Sequence, residues 1–210
     1  MGIRWNDGKK QYIKDDGSAV TDKELKSLLK LHLEDGKTRV NQIGEKLLTQ
    51  KISLLEWQLR TREELKELHL ANLLLARGGK NNVTSKDYAE LGRTLKNEYK
   101  HLRDFTKDLN RGYNIKNGQN YEITKKGFFD RLNKYVKASE ISYEKGLKNN
   151  HIETDYKYAQ RFLNSTTPCV ECSSYAALGV IDIVELILPK EACSCGSRCK
   201  CTVEYYTDKP

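Results

Sequence analysis

The first 167 residues of this 210-residue chain contain neither cysteine nor proline. No proline is therefore present to break a helix in that stretch. The chain also lacks a run of 18 apolar residues. Its most apolar segment, residues 176–189, is interrupted by Asp182 and Glu185, so no membrane span is predicted. The polar N-terminal residues do not resemble a signal peptide, and the sequence predicts a cytosolic protein with reduced cysteines.

Motifs that carry enzyme chemistry are missing as well. The sequence contains no phosphate-binding P-loop, no dinucleotide-binding glycine motif and no HExxH zinc-protease motif. Its histidines are scattered, and none has a companion at the spacing of a metal or catalytic pair. They are His32, His69, His101 and His151. The sequence therefore predicts that the protein is not an enzyme.

The net charge of +8 is unevenly distributed. Residues 1–150 carry 31 Lys and Arg against 21 Asp and Glu, whereas residues 151–210 carry 6 against 8. A surplus of positive charge attracts nucleic acid or an acidic protein surface. The alternative is that these are solvated helix faces with surplus lysine, and the composition does not decide between the two.

Regularly spaced apolar residues predict four long helices within residues 21–150. The first three begin at capping-box patterns, in which Ser or Thr lies three residues before an acidic residue. The predicted starts are Thr21, Ser53, Thr84 and, for the fourth helix, about Thr124. Gly78 and Gly79 are expected to end the second helix, because glycine readily adopts the left-handed conformation found there. Short links between such helices indicate a helical bundle.

Residues 1–20 are predicted to form a β-hairpin arm ahead of this helical body. Asp7 and Gly8 form a turn pair between two short runs that contain Trp5, Tyr12 and Ile13.

All six cysteines fall in the last region, residues 151–210, in the patterns Cys169-x2-Cys172 and Cys193-x-Cys195-x3-Cys199-x-Cys201. Paired cysteines beside short strands are typical of a structural zinc site, in which four thiolates close a tetrahedron. A tail of this size builds little core of its own, so a bound metal would stabilise it. Disulfides and a redox site are the alternatives. The predicted fold is mainly α: a long-helix bundle with an N-terminal β-hairpin and a small C-terminal β-rich zinc-binding module.

The tail resembles the C-terminal signature of phage minor head proteins, the head morphogenesis family related to the F protein of phage Mu. The similarity lies in Cys169-x2-Cys172, the segments YAALG and LILP, and Cys195-x3-Cys199-Lys-Cys-x-Val-Glu-Tyr. The helix sequence WQLRTREELKELHLANLLLARGG and the aromatic hairpin are similar to one branch of that family. The segments GVIDIVE and PKEACSC depart from its pattern, so the choice between Cys193 and Cys195 stays open.

The resemblance implies a structural virion protein rather than an enzyme. Such a protein would act at the portal vertex or head interior, in head assembly and DNA delivery, and would occupy the host cytoplasm during assembly. Its implied partners are portal or major capsid proteins, in a symmetric assembly of several copies, with packaged DNA meeting the basic helical body. The implied zinc ligands are Cys169, Cys172, Cys195 and Cys199. The alternative function is a nucleic-acid-binding zinc module with a regulatory role.

Overall fold

The computed structural model describes residues 3–6, 8–111, 113–116 and 119–210 of the chain. Its helices are α1 (Asp22–Leu48), α2 (Leu54–Arg77), α3 (Ser85–Asn110), α4 (Lys125–Ala138), α5 (Glu140–Glu153) and α6 (Val170–Ala177). Its strands are β1 (Ile3–Asn6), β2 (Gln11–Lys14), β3 (Tyr113–Lys116), β4 (Gln119–Glu122), β5 (Tyr158–Phe162), β6 (Val180–Asp182) and β7 (Thr202–Tyr206). The predicted fold class is confirmed: the protein is mainly helical, with an N-terminal hairpin and a small C-terminal sheet beside a cysteine cluster.

The first three helices begin where the capping patterns predict. Thr21 and Thr84 each accept a hydrogen bond from the backbone N–H three residues on, and the acidic side chain at that position accepts one from the backbone N–H of the cap residue. Ser53 forms only the first half of this exchange, with the N–H of Glu56. The Glu56 carboxylate instead pairs with Arg60 one turn later, at 2.6 Å.

The predicted fourth helix is wrong in one respect, since residues 125–153 form two helices that break at Ser139. Ser139 is fully buried, and its hydroxyl donates to the carbonyl of Val136 at 2.7 Å. The side-chain amide of Asn72, on α2, donates to the same hydroxyl at 3.0 Å. The hydrogen bond from Asn72 on α2 therefore stabilises the break between α4 and α5.

The N-terminal hairpin packs on the end of α2. β1 and β2 pair antiparallel as predicted, with Trp5 opposite Tyr12, while Asp7 of the predicted turn lies outside the described residues. Gly78 ends α2 in the left-handed conformation, with φ of 66°. A Cβ at this position would lie 2.2 Å from the backbone N of Trp5, whose N–H donates to the Gly78 carbonyl at 3.1 Å. Glycine is therefore required both by the backbone and by the hairpin.

The main core lies between α1, α2, α3 and α4. Its centre is aromatic: the rings of Trp57, Phe105 and Phe128 lie 5.6–5.8 Å apart, and all three side chains are buried. Gly36 lies on the buried face of α1, where a Cβ would come within 2.7 Å of the Leu68 side chain. The absence of a side chain at Gly36 therefore lets α1 and α2 pack closely.

The C-terminal sheet has the strand order β6-β5-β7 and is antiparallel throughout. The composition of residues 155–165, 182–189 and 202–206 predicts three strands. β5 and β7 lie in the first and last of these segments, but the predicted strand over residues 182–189 is wrong. β6 ends at Asp182, whose side chain accepts from the N–H of Val184 and begins a short 3₁₀ turn instead.

The tail module packs against α5. A cluster of buried apolar side chains joins Ile141 of α5 to Ala159 of β5 and to Ile183, Leu186 and Leu188. Lys190 and Glu140 form an ion pair across the same boundary. The imidazole of His151 lies between the rings of Tyr156 and Tyr205, at centroid distances of 4.4 and 4.3 Å. Apolar burial therefore holds the tail to the helical body independently of the cysteines.

Candidate metal centre

The six cysteines come from two short segments that face each other. Cys169 lies at the N-terminal cap of α6 and Cys172 lies in its first turn. The opposite segment contains Cys193 and Cys195, then a 3₁₀ turn over Gly196–Arg198, with Cys199 after the turn and Cys201 just before β7. The side chain of Glu171 accepts from the Ser194 hydroxyl at 2.8 Å, and this contact fixes the second segment against α6.

The sulfur atoms lie at distances suited to a shared ion. Cys172 Sγ is 3.5 Å from Cys195 Sγ and 3.6 Å from Cys199 Sγ, while Cys169 Sγ and Cys195 Sγ are 3.6 Å apart. Thiolates bound at ~2.3 Å around a tetrahedral zinc lie about 3.8 Å from one another. A disulfide requires about 2.05 Å, and all six cysteines are free here. The cluster is therefore compatible with a metal ion.

The six sulfurs form two overlapping groups. Cys169, Cys172, Cys193 and Cys195 have all their sulfur atoms within 4.8 Å of one another, and so do Cys172, Cys199 and Cys201. Three of the four ligands implied by the resemblance thus lie in the first group, together with Cys193. Cys199 lies in the second group, and its sulfur contacts that of Cys172, which belongs to both groups. The two groups share that one sulfur.

The electrostatic surroundings of the thiols differ. The backbone N–H of Cys172 lowers the pKa of the Cys169 thiol to about 7. Burial acts to raise the pKa of Cys199, but the backbone N–H of Cys201 and the contact with Cys172 outweigh it and lower this pKa to about 6. Burial and then the neighbouring sulfurs raise the pKa of Cys172. Crowded thiols oppose one another's ionisation, and a cation between them removes that conflict.

Arg161 on β5 places a buried positive charge against the cluster. Its side chain is 2% exposed, and one guanidinium nitrogen lies 3.2 Å from Cys172 Sγ and 3.4 Å from Cys199 Sγ. It also donates to the carbonyl of Ile187 at 3.2 Å and lies over the Tyr175 ring. Among the described residues it has no carboxylate partner. A buried guanidinium requires a compensating anion, and the sulfurs that it contacts supply one when they are ionised.

A second buried polar group was not found by sequence reasoning. His69 Nδ1 lies 2.7 Å from the Ser142 hydroxyl, and His69 Nε2 lies 2.6 Å from a Glu98 carboxylate oxygen. The three residues are separated by 29 and 73 positions, so no local motif announces them. His69 and Glu98 line a cavity of about 500 Å³. Ser142, however, is buried away from this cavity, so it is not placed to attack a substrate there, and the network joins α2, α3 and α5.

The helical body carries a groove between α2 and α3, with a volume of about 720 Å³. Six exposed basic side chains line this basic groove: Arg62, Lys66, Arg93, Lys96, Lys100 and Arg103. Over the described ranges, no acidic side chain lines it, and none of the six cations takes part in an ion pair. The Arg62 guanidinium lies over the Tyr99 ring at 4.4 Å. The positive charge counted in residues 1–150 is thus concentrated, in part, on one surface.

Comparisons with known proteins add nothing to this geometry. No protein-family model matches the chain, and no curated protein or solved structure is significantly similar to it. In the part of the chain that the structure describes, none of the helices is both long and apolar enough to cross a membrane. The fold and site define a mainly helical protein with a C-terminal cysteine cluster whose geometry is compatible with a metal ion.

Proposed function

We propose that this chain is a structural phage head protein, a minor component at the portal vertex or head interior that acts in head assembly and DNA delivery. Zinc bound by the tail cysteines holds the C-terminal module together, and that module docks on portal or capsid protein. The basic helical body contacts packaged DNA. The proposal that the protein is part of a virion rests on the resemblance of the cysteine tail to phage minor head proteins.

The observation that carries this proposal is that the basic groove and the cysteine cluster lie in different parts of the chain. The basic groove lies on α2 and α3, whereas the cysteines lie in the tail module, which has more acidic than basic residues. A zinc module that reads nucleic acid needs basic residues around its metal. Here only Arg198 and Lys200 lie between the last cysteines. This division supports a structural tail and a DNA-facing body over the alternative of a regulatory zinc module.

The chemistry of the cluster supports a structural zinc. Zinc prefers tetrahedral thiolate ligands, and a site with four sulfur ligands leaves no position open for a reacting water. The sulfur group of Cys169, Cys172, Cys193 and Cys195 already supplies four. This closed ligand set supports a role in stability rather than catalysis.

The virion proposal is tested by quantitative mass spectrometry of purified, nuclease-treated particles, with peptide amounts compared with those of the major capsid protein. A few to a few dozen copies per particle are expected for a vertex component. Hundreds of copies would indicate a lattice or cement protein, and absence from particles would overturn the proposal.

A further inference from the structure

The division of the six sulfurs into two overlapping groups points to more than one metal ion. The first group has the four ligands that one tetrahedral ion needs, and it does not include Cys199 or Cys201. A single ion in that group would leave those two thiols without metal, although both lie near Cys172. Cys199 is buried, and its sulfur lies 3.6 Å from Cys172 Sγ, as close as the members of the first group are to one another.

We propose that the tail binds a binuclear metal cluster, with two zinc ions held by all six cysteines and Cys172 shared between them. The first ion lies among Cys169, Cys172, Cys193 and Cys195. The second lies among Cys172, Cys199 and Cys201. The inference rests on the structural zinc site proposed above. It adds a second ion, and it adds Cys193 and Cys201, the two cysteines outside the ligand set that the family resemblance implies.

The number of ligands is consistent with this arrangement. Two tetrahedral ions occupy eight ligand positions, and six thiolates fill eight positions when two of them bridge. Cys172 is the first bridge because it belongs to both groups. Cys195 is the member of the first group that we propose as the second bridge, because its sulfur lies 3.5 Å from that of Cys172.

Arg161 fits the same arrangement. Its guanidinium contacts Cys172 and Cys199, one sulfur shared by the groups and one that belongs to the second. Six thiolates around two zinc ions carry a net charge of −2, and a buried guanidinium in hydrogen-bond contact offsets part of it. Arg161 therefore contacts the sulfur that both groups share and a sulfur of the second group.

The first test is native mass spectrometry of the full chain, purified with reductant and zinc and then passed through a mild chelator. Two zinc ions per chain are expected. Cys201→Ser removes a ligand of the second ion alone and should leave one zinc, while Cys172→Ser should leave none. One zinc in the unsubstituted chain, or no change in Cys201→Ser, would overturn the binuclear cluster.

Cobalt titration tests the shared thiolate separately. High-spin Co²⁺ ions joined through a thiolate couple magnetically, so the electron paramagnetic resonance signal should rise with the first equivalent and fall with the second. A signal that rises steadily to two equivalents would overturn the shared ligand. If the chain instead contains no zinc and no titratable thiols, its cysteines form disulfides, and the proposal of a structural zinc site in the tail is wrong. That result differs from finding a single zinc.

Discussion

Neutralising part of the basic groove should weaken DNA binding by an amount that depends on salt. The perturbation is the triple variant Arg93→Gln, Lys96→Gln and Lys100→Gln, which removes half of the six cations lining the groove. These positions are exposed and form no ion pairs among the described residues, so folding stability should change by roughly 0.5 kcal/mol or less.

The magnitude follows from the number of phosphates that the groove reaches. From Arg93 to Arg103 the helix α3 extends for about 15 Å, which gives each of its four groove cations a phosphate along one DNA strand, and the two groove cations on α2 add two more contacts. Six contacts give a slope of about −5 for the logarithm of affinity against the logarithm of salt concentration. Affinity should then fall by roughly 1,000-fold between 50 and 200 mM salt. With three cations removed, the slope should be about −3 and the fall about 60-fold.

The assay is fluorescence anisotropy with a labelled duplex at several salt concentrations. The matched control is Lys23→Gln, Lys26→Gln and Lys30→Gln on α1, which removes the same charge from exposed positions outside the groove. The control should change the slope much less than the groove variant does. Equal slopes for both variants would refute a localised DNA surface and support a merely solvated basic body. Binding that resists salt and prefers one sequence would favour the regulatory alternative.

Three further predictions concern stability. Cys169→Ser should release the metal ion that Cys169 binds and unfold the cysteine segments of the tail, while most of the far-ultraviolet helical signal remains; loss of the helical signal as well would contradict a tail-specific role. Gly78→Ala should lower the free energy of unfolding in urea by more than Gly17→Ala does. Both glycines have positive φ, worth about 1–2 kcal/mol, but only Gly78 has a neighbour, the Trp5 backbone, that a Cβ would strike. Equal losses would show that the hairpin contact adds nothing. Burial lowers the pKa of His151 to about 4, outweighing Asp22, which acts to raise it. Between about pH 6.5 and 4, His151 is therefore protonated in the unfolded chain but not in the folded chain. The contribution of His151 to the free energy of unfolding is complete above pH 6.5, and it decreases by up to about 3 kcal/mol as the pH falls to 4. His151→Phe should flatten this part of the stability profile, and the exposed control His101→Phe should not.

The starts of the helices and the end of α2 could be predicted because they depend on local chemistry. Thr21 and Thr84 cap their own helices through residues three positions away, and Gly78 ends α2 through its own backbone conformation. The cysteine cluster of the tail could be predicted for a similar reason, since closely spaced cysteines are brought together by short turns. The break at Ser139 could not be predicted, because no glycine or proline marks it in the sequence. It is stabilised by Asn72 from another helix.

The sequence by itself therefore determined the mainly helical class, the terminal hairpin and the presence of a cysteine cluster, all of which arise from short-range spacing and composition. Only the tertiary structure decided which cysteines lie together. Cys193 and Cys199 are placed in different groups by the path of the loop over α6 and by the buried Arg161, and these are contacts between distant residues. The same is true of the basic groove, whose cations lie on two helices and form one surface only when α2 and α3 pack side by side.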